Sequence, residues 1–279
     1  MLNKIHKGSC FYLIKKLPDN YIDLIITSPP YADTKFYGEK VNVFHPDNYV
    51  SWIINLFQSS YRVLKNSGSF IFNIDDKCVN KLRHPYIFDL ILSVINYTDL
   101  KLYDYYFWYK KSHLPNGNSK RLNHSTEWIL HFCKDQNKIK WNMDEVREPY
   151  AQSSLNRIKT PIKDYKIDKN GIKIGSEQKQ KKLNKKGKIP NNIFRFQNNQ
   201  VERGNKHPAP FNKELPIWFI KALTDENDIV LDPFMGSGTT AIAAIELKRN
   251  WIGFEINSEY IKLAEQKIKN LTGVERFFN

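Results

Sequence analysis

Residues 229–247 read IVLDPFMGSGTTAIAAIEL, which predicts a strand, a glycine-containing turn and a helix in direct succession. Gly236 and Gly238 let the backbone turn tightly and approach a ligand without side-chain obstruction. Thr239 is expected to cap the helix. The turn has no lysine, unlike a phosphate-binding P-loop, and no third glycine, unlike a dinucleotide-binding turn. We therefore expect it to hold a nucleoside that carries no phosphate.

The strand that follows, residues 250–255, ends at Glu255, 23 positions beyond Asp232. An acid at the end of the second strand can accept hydrogen bonds from both hydroxyls of a ribose. A strand–glycine–helix turn by itself is often only a tight connection between two elements. The turn and the acid together favour a nucleoside-binding site.

A second motif follows the apolar strand predicted at residues 21–27, which read YIDLIIT. The strand ends at Ser28-Pro29-Pro30-Tyr31, because proline cannot continue the hydrogen-bond ladder of a sheet. The pair of prolines could also have a purely structural role, as a rigid segment where the chain leaves the strand. The loop at the carboxyl end of a parallel strand, however, is where ligands bind.

The chemistry of this motif is more specific than its shape. The amino group of a nucleobase is a poor nucleophile because its lone pair is delocalised into the ring. The Ser28 hydroxyl and the Pro29 carbonyl can accept both of its N–H hydrogen bonds and so draw the nitrogen toward tetrahedral geometry. The rigid proline pair fixes that carbonyl, and Tyr31 can stack on a base extruded from a duplex.

Strands and helices alternate along the rest of the chain. Apolar periodicity predicts helices at residues 49–64, 84–96, 215–223, 239–247 and 257–270, and further strands at residues 69–74, 102–109, 127–133 and 228–231. This alternation, on both sides of a polar insert, predicts a doubly wound, mainly parallel α/β sheet.

The polar insert comprises residues 136–205 and is rich in lysine, asparagine and glutamine. The net charge of the chain is +14, and residues 151–200 alone hold thirteen Lys or Arg against three acids. This clustering favours a polyanionic partner. The insert is either disordered or, as we favour, a partly ordered small domain with flexible lysine-rich loops.

Other features of the sequence argue against several classes of protein. The three cysteines, Cys10, Cys78 and Cys133, form no CxxC pair, which argues against a disulfide framework and a zinc site. The histidines show no metal-ligand spacing. No apolar run approaches the roughly 18 residues of a membrane span, and the N-terminus carries charge where a signal peptide is apolar. We expect a soluble, cytoplasmic protein without a metal.

The sequence TSPPY at residues 27–31, followed by DPFMGSGTT at 232–240 and GFE at 253–255, resembles the amino-methyltransferases of bacterial restriction–modification systems. The resemblance covers most of the chain and fails only over residues 136–205, where the family also varies. It implies the Rossmann-like fold of methyltransferases, with a mainly parallel, seven-stranded sheet. It also implies an activity that depends on S-adenosylmethionine. The permuted motif order resembles the beta class, which implies a catalytic half (1–135), a target-recognition region (136–205) and a cofactor-binding half (206–279).

The family's functional residues carry over onto matching positions of this chain. Its catalytic motif matches Ser28, Pro29, Pro30 and Tyr31. Its loop for the methionine part of the cofactor matches Asp232, Pro233, Phe234, Gly236, Gly238 and Thr239, and its ribose-binding acid matches Glu255. The sequence KHPAPF at residues 206–211, with His207 and Pro208, is similar to the segment beside the methionine end. One departure is Ser9, which stands where the family often has an Asp that meets the adenine.

The resemblance also bears on the base that is modified. Family members with Ser before Pro-Pro-Tyr mostly methylate cytosine N4, and those with Asp there mostly methylate adenine N6. Ser28 therefore implies N4 of cytosine, although no steric reason excludes adenine. None of the three cysteines has the Pro-Cys setting of a carbon-directed cytosine methylase, which argues against that chemistry.

The expected partner is double-stranded DNA. Lysines and arginines of residues 136–205 are expected to contact phosphates, and the arginines could also read base edges; the candidates are Arg157, Lys159, Arg195 and Arg203. The resemblance leaves open a cognate restriction endonuclease and a homodimer. Two other interpretations stay open, namely a nucleic-acid-binding module without catalysis and a methyltransferase that acts on RNA or on a small molecule, although the long basic insert argues against a small substrate.

Overall fold

The computed structural model describes residues 1–32, 45–110, 120–158, 162–167, 169, 173–179, 183–196 and 212–273. The chain divides into two compact units. The first comprises Met1–Asn142 and Asn192–Asn279, and the second comprises Met143–Asn191. Both sequence motifs quoted above lie in the first unit.

The strands of the described residues are, in chain order, β1 (Lys4–Lys7), β2 (Ile22–Thr27), β3 (Leu64–Ile74), β4 (Cys78–Val79), β5 (Leu82–Arg83), β6 (Lys101–Tyr109), β7 (Thr126–Cys133), β8 (Ile162–Ile167), β9 (Lys173–Lys179), β10 (Ile193–Phe194), β11 (Ile229–Asp232) and β12 (Asn250–Glu255). The helices are α1 (Cys10–Leu13), α2 (Pro46–Val63), α3 (Tyr86–Tyr97), α4 (Gln152–Ile158), α5 (Glu214–Leu223), α6 (Thr239–Glu246) and α7 (Ser258–Thr272).

One sheet dominates the first unit, with the strand order β1-β12-β11-β2-β3-β7-β6-β10. The five strands from β1 to β3 in this order are parallel, whereas β7 runs antiparallel to both β3 and β6. The predicted seven-stranded, mainly parallel sheet is confirmed, and the two-residue strand β10 extends it beside β6.

The sheet is the centre of the hydrophobic core. All six residues of β2 are buried, as expected for an apolar, β-branched strand in the middle of a parallel sheet. Helices α1, α2 and α3 pack together as one group, and α5, α6 and α7 pack as another. The two groups cover the sheet in the doubly wound arrangement that the alternation of elements predicted.

The strand order brings the two sequence motifs side by side. Strand β2, which precedes the SPPY sequence, pairs directly with β11, which precedes the glycine turn. The chain continues from β2 to β3 on one side and from β11 to β12 on the other. In an open parallel sheet, the carboxyl edge at such a change of direction is where ligands bind. Thr27, Asp232 and Glu255 all end their strands at this edge.

Strands β3 and β1 of the main sheet differ from the sequence-based expectations. The predicted strand at residues 69–74 begins earlier, at Leu64, because Leu64 already pairs with Ile22 of β2. Strand β1 was not predicted, since its sequence KIHK is short and charged at both ends. It forms at the sheet edge, where Lys4 and Lys7 pair with Ile252 and Glu255 of β12.

The second unit contains secondary structure of its own. Strands β8 and β9 form an antiparallel pair in which Asp164 lies opposite Glu177. Glu148 and Lys188 form an isolated bridge and an ion pair with a distance of 2.8 Å between Lys188 Nζ and Glu148 Oε2. This unit spans fewer residues than the polar insert that the sequence predicted at residues 136–205. Phe194, for example, packs on Phe219 and belongs to the first unit.

Within the ranges that the structure describes, no helix has the length and apolar character needed to cross a membrane.

Candidate active site

The SPPY sequence forms the loop directly after β2. Pro29 is buried, and Ser28 and Tyr31 are half-buried. The hydroxyls of Ser28 and Tyr31 lie 2.9 Å apart. The loop therefore holds these two side chains against each other at the carboxyl edge of the sheet.

Asp232 connects this loop to the glycine turn. Its Oδ1 accepts hydrogen bonds from Thr27 Oγ1 at 2.6 Å and from the backbone N–H of Phe234 at 3.0 Å, and its Oδ2 accepts from Thr240 Oγ1 at 2.5 Å. Burial raises the pKa of Asp232 to about 6, although the two hydroxyl donors act in the opposite direction. The carboxyl group thus bonds inward and fixes the backbone of the turn.

The glycine turn adopts a conformation that favours glycine. Gly236 and Gly238 have φ angles of 52° and 85°, in the left-handed region. A Cβ at Gly238 would lie 2.8 Å from Cβ of Ala264 in α7. The prediction that Thr239 caps α6 is wrong, because Gly238 is the N-cap and Thr239 is the first helical residue. The hydroxyl that organises this turn belongs to Thr240, which bonds Asp232.

Glu255 joins β12 to the same turn. Its Oε2 accepts a hydrogen bond from the N–H of Gly236 at 2.8 Å, and its Oε1 accepts one from the N–H of Asn257 at 2.7 Å. Burial raises the pKa of Glu255, and these backbone donors partly offset that effect. Because a carboxylate has about four acceptor positions, Glu255 can still accept further hydrogen bonds.

The other predicted cofactor residues lie around this turn. Pro233 is buried, and the half-buried ring of Phe234 lies 5.8 Å from the ring of Trp52. Ser9 is exposed and is the N-cap of α1. The residue before it, Gly8, donates its N–H to the carbonyl of Glu255 at 2.9 Å. Ser9 therefore lies next to the carboxyl end of β12.

The sequence analysis missed a group of polar residues that contact Tyr31. Tyr31 OH donates to Glu127 Oε2 at 2.7 Å, and Asn73 Nδ2 donates to the same carboxylate oxygen at 2.7 Å. Lys110 Nζ lies 2.9 Å from Glu127 Oε1. Glu127 is 7% exposed and Asn73 is fully buried. The sequence did carry a signal for Glu127, because it is the only acid in the strand TEWILHFC, whose other residues are uncharged except for one histidine.

A cluster of charges continues from Lys110. Among the described residues, Asp75, Asp76 and His124 each have one atom that could bind a metal ion, and these three atoms lie within 4.8 Å of one another. Lys110 and Arg83 pair with Asp75 and Asp76 respectively. The hydrogen bond to Asp75, at 2.6 Å, raises the pKa of His124. Because both carboxylates already face cations, the geometry is that of an ion-pair cluster.

The predicted DNA-binding residues are described only in part. Arg195 follows β10, is exposed, and places its guanidinium 5.7 Å from the ring centroid of Tyr109 at the end of β6. Arg157 lies in α4, and its side chain falls outside the described part. Lys159 and Arg203, as well as the predicted cofactor residues His207 and Pro208, lie outside the described residues.

Comparison with known proteins decides the family. A family model described as DNA methylase, for the N6 and N4 methyltransferases, matches residues 22–266. The chain belongs to the DNA methylase family. The Type II methyltransferase M.BglII of Bacillus subtilis is 30% identical to it over 269 residues, which cover 95% of this chain and 68% of the relative. The Type II methyltransferase M.PvuII of Proteus hauseri is 29% identical, over 91% of this chain and 80% of the relative.

Solved structures share the fold of this DNA methylase. The PvuII DNA methyltransferase, described as cytosine-N4-specific, has a TM-score of 0.70 and 24% identity, over 93% of this chain and 84% of that chain. TTHA0409 of Thermus thermophilus, solved in complex with S-adenosyl-L-methionine, has a TM-score of 0.64 and 20% identity, over 96% and 93% of the two chains. The predicted Rossmann-like methyltransferase fold is confirmed.

Proposed function

We propose that this DNA methylase transfers a methyl group from S-adenosylmethionine to N4 of cytosine in duplex DNA. One observation carries the proposal. The strand that precedes Ser28 lies beside the strand that precedes the glycine turn, and the hydrogen bond of 2.6 Å between Thr27 and Asp232 joins the two strand ends. An acceptor for an amino group therefore lies next to a turn of the kind that holds a nucleoside.

The residues of the glycine turn suit S-adenosylmethionine. The cofactor's ribose offers two hydroxyl donors, and Glu255 has acceptor positions beyond those that bind Gly236 and Asn257. Asp232, Pro233, Phe234, Gly236, Gly238 and Thr239 would surround the methionine part, with Ser9 near the adenine and His207 and Pro208 near the methionine end. The complex of TTHA0409 with this cofactor supports the assignment. When bound, the cofactor supplies a methyl group on a sulfonium, a leaving group that is neutral after transfer.

The loop from Ser28 to Tyr31 would hold the base. The Ser28 hydroxyl and the Pro29 carbonyl accept the two N–H bonds of the amino group and so localise its lone pair on nitrogen. Pro30 restricts the backbone that carries this carbonyl. The ring of Tyr31 is half-buried and would stack on a base extruded from the duplex.

Two bases carry an amino group that this site could bind. Ser28, in place of Asp before Pro-Pro-Tyr, favours cytosine N4, and the cytosine-N4-specific PvuII methyltransferase supports this choice. Adenine N6 is the alternative, because the family model covers both chemistries. A carboxylate is the stronger acceptor, so the difference between Ser and Asp is one of electrostatics as well as fit.

The deciding experiment is the analysis of nucleosides after methylation. Mixed-sequence duplex DNA is incubated with the full chain and S-adenosylmethionine, digested with nucleases and analysed by mass spectrometry. N4-methylcytosine is the expected product. N6-methyladenine would contradict the choice of base but keep the mechanism. If neither product formed, a methylase that acts on RNA or a binding module without catalysis would replace the proposal.

The Ser28→Ala variant tests the acceptor directly. We expect it to lose methyl transfer but to bind S-adenosylmethionine with unchanged affinity, because Glu255 and the glycine turn are intact. Ser51→Ala, at an exposed serine of α2 outside the proposed DNA-binding region, is the matched control. Full activity of Ser28→Ala would contradict the proposed role of this hydroxyl.

We further propose that residues 136–205 bind the DNA. The compact unit Met143–Asn191 carries thirteen Lys or Arg against six acids in the sequence. Arg157, Lys159, Arg195 and Arg203 are the candidates for phosphate contacts or base-edge contacts. Affinity for duplex DNA, measured between about 50 and about 200 mM salt, should fall steeply because counterions are released. An affinity that does not depend on salt would contradict this.

The permuted motif order further favours the beta class, and the Type II relatives favour a place in a restriction–modification system. A cognate endonuclease and a homodimer belong to the same proposal. Analytical ultracentrifugation of the full chain, with and without DNA, tests the homodimer.

A further inference from the structure

Glu127 is a buried acid that lies beside the SPPY loop. It is near the start of β7, and because β7 runs antiparallel to β3, this start lies at the carboxyl edge of the parallel strands. There its Oε2 lies 2.7 Å from Tyr31 OH, and its Oε1 lies 2.9 Å from Lys110 Nζ. The residue is therefore one hydrogen bond away from Tyr31 and two from Ser28.

The directions of these hydrogen bonds follow from the groups involved. A carboxylate can only accept, so Tyr31 must donate its single O–H to Glu127. Burial, reinforced by the negative charge of Glu127, holds the pKa of Tyr31 well above its ordinary value, so the phenol keeps this proton. With its proton committed, the phenol oxygen can only accept from the Ser28 hydroxyl, 2.9 Å away.

The other donors in this cluster are also committed. Asn73 Nδ2 bonds both Tyr31 OH and Glu127 Oε2, and Lys110 Nζ bonds both Glu127 and Asp75. The described residues leave Asn73 Oδ1, a buried acceptor, without a hydrogen-bond partner. The cluster therefore has more acceptor positions than donors, so no group within it requires the Ser28 oxygen as an acceptor.

We propose that Glu127 is a positioning residue that acts through Tyr31 to orient the hydroxyl of Ser28. The Ser28 proton points to Tyr31, so the lone pairs of Ser28 Oγ are left to accept from the amino group of the base. The same orientation selects against a base that presents a carbonyl group at this position, because a carbonyl needs a donor. This inference rests on the proposed function and adds to it the reason why a serine, which can donate or accept, acts as an acceptor.

Three variants separate this role from a structural one. Glu127→Gln keeps the size of the side chain but offers an amide N–H toward Tyr31, so the phenol can turn its proton toward Ser28. Tyr31→Phe keeps the aromatic ring for stacking and removes the hydroxyl. Glu226→Gln, at an exposed carboxylate that pairs with Lys248 on the surface, is the matched control.

The measurement is the single-turnover rate of tritiated methyl transfer to mixed-sequence duplex DNA, with saturating S-adenosylmethionine. We expect Glu127→Gln and Tyr31→Phe each to lower the rate by about 10- to 100-fold, less than the roughly 100- to 1000-fold lost when a group that contacts the transition state is removed, because both act through Ser28. The dissociation constant for S-adenosylmethionine should change less than about twofold, since Glu255 is untouched. In the Tyr31→Phe background, Glu127→Gln should lower the rate by less than a further twofold, because its route to Ser28 is already broken.

A normal rate in Glu127→Gln would overturn the inference, and so would an equal loss from Glu127→Gln in both backgrounds. If Glu127→Gln fails to fold, a normal rate in Tyr31→Phe still overturns it. These outcomes differ from failure of the proposed function, which would show as no methyl transfer by the wild-type chain.

Discussion

Thr27 Oγ1 donates a hydrogen bond of 2.6 Å to Asp232 Oδ1, and so joins the ends of two strands that are 205 residues apart in the sequence. Each residue is the last of its strand and immediately precedes one of the two motifs. The carboxyl group also receives Thr240 and the N–H of Phe234. This one side chain therefore sets the distance between the SPPY loop and the glycine turn.

The first prediction concerns this hydrogen bond. Thr27→Val keeps the shape of the side chain and removes the donor, so we expect a loss of about 1–3 kcal/mol in the free energy of unfolding at pH 8. The loss should be smaller at pH 5, because Asp232, with a pKa of about 6, is then largely protonated. The variant should raise this pKa further, since the lost donor favoured the ionised form. Urea unfolding at both pH values checks this, with Thr126→Val in β7 as the control. Equal losses at both pH values would contradict the role of the ionised carboxylate.

The second prediction concerns Glu255. Glu255→Gln removes the charge that is proposed to bind the ribose hydroxyls, so the dissociation constant for S-adenosylmethionine should rise about tenfold or more. Isothermal titration calorimetry with the cofactor alone gives this value. Glu259→Gln, at an exposed acid in the first turn of α7, should bind the cofactor as the wild type does. An unchanged dissociation constant in Glu255→Gln would remove Glu255 from the cofactor site.

The third prediction concerns the glycine turn. Gly238→Ala should lower the free energy of unfolding by about 1–3 kcal/mol, because the φ angle of 85° is strained for alanine and the new Cβ would lie 2.8 Å from Ala264 Cβ. Gly273→Ala is the matched control, since its φ angle is 64° and nothing lies within 4 Å of the added Cβ. Chemical denaturation should show the larger loss at Gly238. If the two variants lost the same stability, the contact with Ala264 would contribute nothing.

The fourth prediction concerns His131, a fully buried residue of β7. Its ring nitrogens lie 3.1 Å from Tyr106 OH and 3.0 Å from Ser69 Oγ, and burial lowers its pKa to about 3. Below its ordinary pKa of about 6.5 the unfolded chain binds a proton that the folded chain does not, so the free energy of unfolding falls by about 1.4 kcal/mol per pH unit. His131→Phe cannot titrate, so the stability gap between wild type and variant should shrink by about 2 kcal/mol from pH 6.5 to pH 5.

Urea unfolding across this pH range measures that gap. The titration of Asp232 has the opposite sign, since its raised pKa makes the folded chain bind the extra proton near pH 5, but it is common to both proteins and cancels in the difference. A constant gap would show that His131 is protonated in the folded state as readily as in the unfolded one.

The sequence predicted the local structure of both motifs well. The strand before the SPPY loop begins one residue later than expected, and the strand that ends at Glu255 has the predicted bounds. Such elements can be predicted because each buries its own apolar face, and the period of that face is written in neighbouring residues. Thr239 was misassigned as a helix cap because Gly238, in the left-handed conformation, ends the turn one residue earlier.

What the sequence determined by itself was therefore the order of the main strands and helices on either side of the polar insert, the two motifs that follow β2 and β11, and the resemblance to amino-methyltransferases. Only the tertiary structure placed β2 beside β11, turned both oxygens of Asp232 inward, and brought Glu127 and Asn73 against Tyr31. The physical reason is that strand pairing is a contact between distant segments, which local periodicity does not encode. The antiparallel direction of β7 turns the start of that strand, and with it Glu127, toward the edge where the parallel strands end.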